Sequence, residues 1–151
     1  MKLGIISDTH VWTIDEIPAV IRKSLADVDI IIHAGDFTQK AVLDGLRSIG
    51  QVKAVYGNMD SIELKRSLPE RDVLEASGKK IGLIHGSGAP WGIAERMRRQ
   101  FSGVDIIIFG HSHESCNRYI QGVLLVNPGQ AKNSLGLLTI DDGIRADILR
   151  V

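Results

Sequence analysis

The chain has a single cysteine, Cys116, so no disulfide can form within it, and this suits a reducing compartment. It has no run of about 20 apolar residues and no charged leader followed by an apolar stretch. Neither membrane insertion nor secretion is therefore expected, and the expected location is cytoplasmic. It has no net charge, since 18 Lys and Arg balance 18 Asp and Glu with no long block of either sign. A protein that holds a duplex through its phosphates needs a basic excess, so strong nucleic-acid binding is not expected. A small phosphate ester held by metal charge stays compatible with that balance. Prolines number four, and no repeat, linker or low-complexity stretch interrupts the sequence. The 151 residues read as one domain, 1–151, large enough to bury a core.

Five apolar runs are present, and each stops at a short polar cluster. Leu3 to Ile6 runs into Ser7-Asp8-Thr9-His10, and Ile30 to Ile32 into His33-Ala34-Gly35-Asp36. Val52 to Tyr56 runs into Gly57-Asn58-Met59-Asp60, and Ile81 to Ile84 into His85-Gly86. Asp105 to Phe109 runs into Gly110-His111-Ser112-His113. Runs this short and rich in Ile and Val read as buried strands. Ligands of open α/β sheets bind beyond the carboxyl ends of the strands. One rim can then collect Asp8, His10, Asp36, Asn58, His85, His111 and His113, metal-ligating side chains enough for two ions.

Between the runs, apolar spacing predicts helices over Ile14 to Val28, Gln39 to Ile49 and Ile93 to Phe101, and a short helix or turn over Ser61 to Leu68. Hairpins are expected at Ser77-Gly78-Lys79, around Gly122 and at Asp141-Asp142-Gly143. The first half thus alternates strand and helix, which gives a parallel sheet, and the second half reads as antiparallel. The expected fold is α/β: a two-sheet β-sandwich with helices outside.

Each cluster also has a plain structural reading. Asp8 and Asp36 can be turn or helix-cap residues, Asn58 a turn residue, and His85, His111 and His113 strand-end or loop histidines. Taken together they are more specific, because all five histidines fall where a strand ends.

The ordered motifs Asp8-Thr9-His10, Gly35-Asp36, Gly57-Asn58, His85 and Gly110-His111-Ser112-His113, with Asn127-Pro128-Gly129 beyond them, resemble the calcineurin-like metallophosphoesterases. The resemblance is to their small single-domain bacterial and archaeal phosphodiesterases. It implies that Asp8, His10, Asp36 and His113 hold one divalent metal, and that Asp36, Asn58, His85 and His111 hold a second, with Asp36 bridging. Catalysis would rest on Asp36, Asn58, His85 and His111, holding the metals rather than acting as bases. Two divalent cations against two carboxylates leave a surplus of about +2, which binds a phosphate oxyanion and acidifies a water. The expected reaction is hydrolysis of small phosphodiesters by a metal-bridging hydroxide. Mixed N and O ligation suits Mn foremost, with Ni, Zn or Fe also fitting. Family members often self-associate, so a homo-oligomer is a further expectation.

The chain departs from the pattern at three places. Met59 stands where many relatives carry a histidine that serves the phosphate, so diesters and activated esters are expected over simple monoesters. Ser87 stands where some carry a second histidine, and Gln130 replaces a frequent serine. Asp60 is expected either to orient the Asn58 amide or to shape a turn. His33 reads as strand-end packing or a neighbour of the site, Trp12 as a wall for a leaving group or a core residue, and Arg96, Arg98 and Arg99 as a solvated helical face. Two rival functions stay open: a phosphomonoesterase or protein phosphatase, and a non-catalytic scaffold of the same fold, as in the small retromer subunit.

Overall fold

The computed structural model describes residues 1–151. Its strands are β1 (Lys2–Ile6), β2 (Ile30–His33), β3 (Val52–Ala54), β4 (Arg71–Ala76), β5 (Lys79–Ile84), β6 (Ile106–Ile108), β7 (Cys116–Ile120), β8 (Val123–Asn127), β9 (Ser134–Ile140) and β10 (Ile144–Arg150). Its helices are α1 (Ala19–Ala26), α2 (Lys40–Ile49), α3 (Ile62–Ser67) and α4 (Ile93–Arg98).

The strands form two five-stranded sheets, ordered β10-β9-β1-β2-β3 and β4-β5-β6-β8-β7. As the strand–helix alternation predicts, β1, β2 and β3 are parallel, with Leu3 opposite Ile30 and Ile31 opposite Val52. The halves of the chain do not map onto the sheets, however. The last hairpin joins the first sheet, β9 running antiparallel to β1, and in the second sheet β5, β6 and β8 are parallel. The burial of β9 explains this: Ser134, Leu135, Gly136, Leu138 and Ile140 are all buried, so this strand needs a neighbour on each side.

Alternation along the strands builds three apolar layers. Leu3, Ile5 and Ile32 from one sheet meet Ile81, Leu83, Ile106 and Ile108 from the other. Ile6 and Ile31 face outward, onto Ile21 and Leu25 of α1 and Val42, Leu43 and Leu46 of α2. Ile107 and Leu125 pack on Ile93, Ala94 and Met97 of α4. The result is a sandwich of two sheets with helices outside.

The helix expected over Ile14 to Val28 is broken. Pro18 drives Ile17 to an extended backbone (φ −73°, ψ 134°), leaving a 3-10 turn at Ile14–Glu16 before α1. The Glu16 carboxylate accepts from the Trp12 and Thr13 amides and closes that turn.

Candidate metal centre

Loops leaving β1, β2, β3, β5 and β6 meet across the edge of the two sheets. Asp8 N donates to Gly35 O at 3.0 Å, Gly110 N to His85 O at 2.9 Å, and Ala131 N to Ser7 O at 3.0 Å. Asp8 and His10 do not continue the face of β1, which ends at Ile6. They adopt left-handed backbone, with φ of 53° and 47°. The same every-second-residue pattern occurs at Asp36 and Thr38 (62° and 71°) and at His111 and His113 (70° and 64°). Left-handed backbone costs a non-glycine residue about 1–2 kcal/mol, and such strain collects at functional sites.

The neighbouring glycines make this approach feasible. A Cβ on Gly57 would collide with Asp36 Oδ1, and one on Gly110 with Ser7 Oγ. Glycine therefore precedes Asn58 and His111 because the adjoining loops touch its backbone.

Two buried carboxylates lie at the centre. Asp8 Oδ1 lies 3.4 Å from His113 Nε2, 3.8 Å from His10 Nε2 and 3.9 Å from His85 Nε2. Asp36 Oδ2 lies 3.3 Å from His85 Nε2 and 3.5 Å from His10 Nε2. In each carboxylate the other oxygen is held by the protein. Asp8 Oδ2 accepts from Ser7 Oγ (2.7 Å) and His111 N (3.2 Å), and Asp36 Oδ1 accepts from Met59 N (2.8 Å). His85 Nδ1–H donates to Ala34 O at 2.7 Å, so in the neutral imidazole it is Nε2 that turns a lone pair toward the carboxylates. Asp8 Oδ1 and His85 Nε2 are buried and make no hydrogen bond. Acceptors facing acceptors in a buried site repel unless a cation lies among them.

Donor atoms of one ion, each about 2.1 Å from it, lie roughly 3.0–3.5 Å apart, close to the spacings here. Two overlapping groups could hold ions: Asp8, His10 and His113, and Asp8, Asp36 and His85. The donor chemistry thus fits a pair of divalent metals.

Charge responds to this crowding. Burial pushes the Asp8 carboxyl above its ordinary range, and the nearby His85 only partly offsets it. Burial also works against ionised Asp36, yet His85 and the Met59 amide hold it below the usual carboxylate range. For His85, burial opposes the charged form, but Asp36 and Asp8 outweigh it and lift the imidazole above its ordinary value.

Five of the seven sequence-derived residues, Asp8, His10, Asp36, His85 and His113, come together in these groups. His111 and Asn58 flank them. The His111 ring lies 5.3 Å from that of His85, edge-on, and its Nε2–H donates to Gly88 O at 3.0 Å, leaving Nδ1 as the free nitrogen. Asn58 is exposed and lines a cavity together with His85.

Asp60 does not orient the Asn58 amide. Its carboxylate accepts from Gly57 N (2.7 Å), Thr38 N (2.8 Å) and Asp36 N (3.0 Å), so it fixes the backbone that presents Asp36. His33 is fully buried against Phe37, with ring centroids 3.5 Å apart. Its Nδ1 accepts from Gly35 N at 3.0 Å and its Nε2–H meets Thr9 Oγ1 at 3.2 Å. Burial pushes its pKa well below the ordinary imidazole value. Asn127 donates to Gly110 O and Ser112 Oγ, which secures the His111 to His113 loop. Trp12 is exposed rather than in the core.

Arg96 and Arg98 are not merely solvated. Arg96 donates to the carbonyls of Ser87, Ala89 and Trp91, tying down the loop after His85, and Arg98 donates to Phe101, Ile120 and Gln121 carbonyls. Sequence reasoning had only the helical spacing of these arginines. The glycine-rich run Gly86-Ser87-Gly88-Ala89, which supplies little side-chain bracing of its own, was the signal that an outside donor was needed.

Residues 1–141 match the calcineurin-like phosphoesterase superfamily domain. A probable metallophosphoesterase of Methanocaldococcus jannaschii is 35% identical over 100% of this chain and 82% of its own length. A phosphodiesterase of the same organism is 31% identical over 93% of this chain and 90% of its own length. The crystal structure of Vps29 complexed with zinc, from Entamoeba histolytica, superposes with a TM-score of 0.77 at 26% identity, covering 99% of each chain. No helix is long and apolar enough to cross a membrane. A match that runs through all the loops converging on Asp8 and Asp36, and not through the sheets alone, makes this chain a member of the calcineurin-like phosphoesterase superfamily.

Proposed function

We propose that the protein hydrolyses small phosphodiesters with the aid of two divalent cations held by Asp8, His10, Asp36, Asn58, His85, His111 and His113. The observation that carries this reading is the pair of buried carboxylates facing three imidazole nitrogens, with Asp8 Oδ1 and His85 Nε2 left unpartnered. When bound, the ions supply Lewis acidity toward a phosphoryl oxygen and lower the pKa of a water. The protein's own task is positioning. Ser7 and the His111 amide fix Asp8, the Met59 amide fixes Asp36, and Ala34 O fixes the tautomer of His85. Asp8 belongs to both candidate groups and Asp36 Oδ2 lies between His10 and His85, so these two carboxylates would hold the ions together.

The diester preference follows from Met59. Its side chain is exposed beside the site and has no proton to give an alkoxide leaving group. The phosphodiesterase relative at 31% identity supports the same preference. Mixed N and O donors favour Mn, with Ni, Zn and Fe as alternatives.

The test compares bis(p-nitrophenyl) phosphate with p-nitrophenyl phosphate, using metal-stripped protein restored with Mn²⁺ and an Asp36→Asn variant in parallel. Diester turnover that needs metal and is lost in Asp36→Asn supports the proposal. Faster monoester turnover makes it a phosphomonoesterase. No turnover with Mn²⁺, Ni²⁺, Zn²⁺ or Fe²⁺ favours a scaffold, the reading to which the likeness to Vps29 lends weight.

A further inference from the structure

The metal cluster has two flanks, and they differ in charge. Beside His85 a cavity of about 210 Å³ is lined by Tyr56, Asn58, Glu70 and Ser87 among others. Beside His113 a cavity of about 350 Å³ is lined by Glu114, Ser115, Asn133, Ser134 and Arg150, with no hydrophobic residue.

Arg150 ends β10, opposite Ser134 of β9, and its Nη2 donates to Ser115 Oγ at 3.2 Å. No ion pair neutralises it. Arg22, Arg47, Arg118 and Arg145 each lie against a carboxylate, Arg96 and Arg98 are committed to backbone carbonyls, and no other arginine lines either cavity beside the cluster. Glu114 supplies the pocket's one carboxylate, and it is not paired with Arg150. The Ser134 hydroxyl already donates to Pro128 O at 2.6 Å. The donors left for a ligand are the guanidinium, the Ser115 hydroxyl and the side-chain amide of Asn133, whose backbone alone takes part in turn bonds. A planar fork of N–H groups with neighbouring neutral donors matches the several oxygens of a phosphoryl group. On the opposite flank the Glu70 carboxylate repels such a group.

We propose that the Arg150 pocket receives a second phosphoryl group, so that the substrate is a phosphodiester whose arm on the His113 side ends in a phosphate. This rests on the phosphodiesterase reading above. It also reconciles the chain's zero net charge with an anionic substrate, since recognition is local.

Two substrates separate the cases: the dinucleotide pApA, with a 5′-phosphate, and ApA, without one. Both are run beside bis(p-nitrophenyl) phosphate on the Mn²⁺-loaded protein and its Arg150→Gln variant. The expected wild-type KM is roughly tenfold lower for pApA than for ApA. Arg150→Gln should erase that advantage while leaving the constants for ApA and bis(p-nitrophenyl) phosphate unchanged. A second readout needs no turnover: methyl phosphate titrated into the metal-free protein should shift the Ser115 and Asn133 amide resonances, and fail to do so in Arg150→Gln. Equal KM for the two dinucleotides, or a variant that slows both alike, overturns the pocket's role. If no diester is hydrolysed at all, the phosphodiesterase reading falls, and the methyl phosphate titration then decides the pocket alone.

Discussion

Asp60→Asn tests how the site is held together. The Asp60 carboxylate is buried and accepts three backbone N–H groups, from Asp36, Thr38 and Gly57, at 2.7–3.0 Å. Asparagine keeps the shape but has one oxygen where the carboxylate has two. Its NH₂ must face either the Thr38 amide or the pair from Asp36 and Gly57, donor against donor. A hydrogen bond to a charged group contributes about 1.5–3 kcal/mol, and a buried donor left unpaired adds its desolvation cost. The lost bond also removes the support that keeps Asp36 and Thr38 in left-handed backbone. The expected destabilisation is about 2–4 kcal/mol, which for a chain of this size lowers Tm by roughly 5–15 °C. Displacing the Asp36 carboxylate should also weaken divalent-metal binding about 10–100-fold. Thermal unfolding of the metal-free protein reads the first effect, and calorimetric titration with Mn²⁺ or Zn²⁺ reads the second. A variant with wild-type Tm and wild-type metal affinity would show that the Asp36 loop holds its shape without Asp60, and would refute this account.

Three further outcomes follow from the same geometry. Because the folded-state pKa of His33 lies below its unfolded value of about 6.5, its contribution to stability is intact above that pH and is lost as pH falls toward the folded value. His33→Gln, whose amide can still accept from Gly35 and donate to Thr9, should flatten the decline in stability between about pH 6.5 and 5, read by urea denaturation of the metal-free protein. Gly57→Ala should abolish Mn²⁺ binding in calorimetry while the far-UV circular dichroism stays native, because the new methyl occupies the place of Asp36 Oδ1. Arg96→Gln should speed hydrogen exchange through residues 87–91 and leave exchange in β1 and β2 unchanged, since its three acceptors lie in that one loop.

Much of the site was legible because its residues carry two signals at once. Asp8, Asp36, His85 and His113 are chemically distinctive, and each follows an apolar run whose end the sequence marks clearly. The layered fold was legible for the same reason. Less was legible where the deciding contact is distant in sequence. Nothing near Asp60 announces that its partners are the amides of Asp36 and Thr38, more than 20 residues earlier. Periodicity finds the hairpin at residues 134–150, but not that β9 pairs with β1, because pairing partners are chosen by burial on both faces. The split before α1 was readable in Pro18, whose effect falls on the residue before it; the apolar spacing alone continues through it.

The seating of β9 beside β1 constrains the order in which the molecule can form. The N-terminal ammonium donates to Ile140 O, and Lys2 lies opposite Thr139. On a ribosome, β1 emerges well before β9 and waits with one edge open until that strand follows. The Asp8 carboxylate waits as well, for an amide 103 residues downstream in His111. Closing loops of that length early is entropically unfavourable, so β2, β3 and the helices between them are suited to assemble on β1 first. The candidate metal centre is then among the last parts to be completed, and a divalent ion held there would act as a clasp between the two sheets.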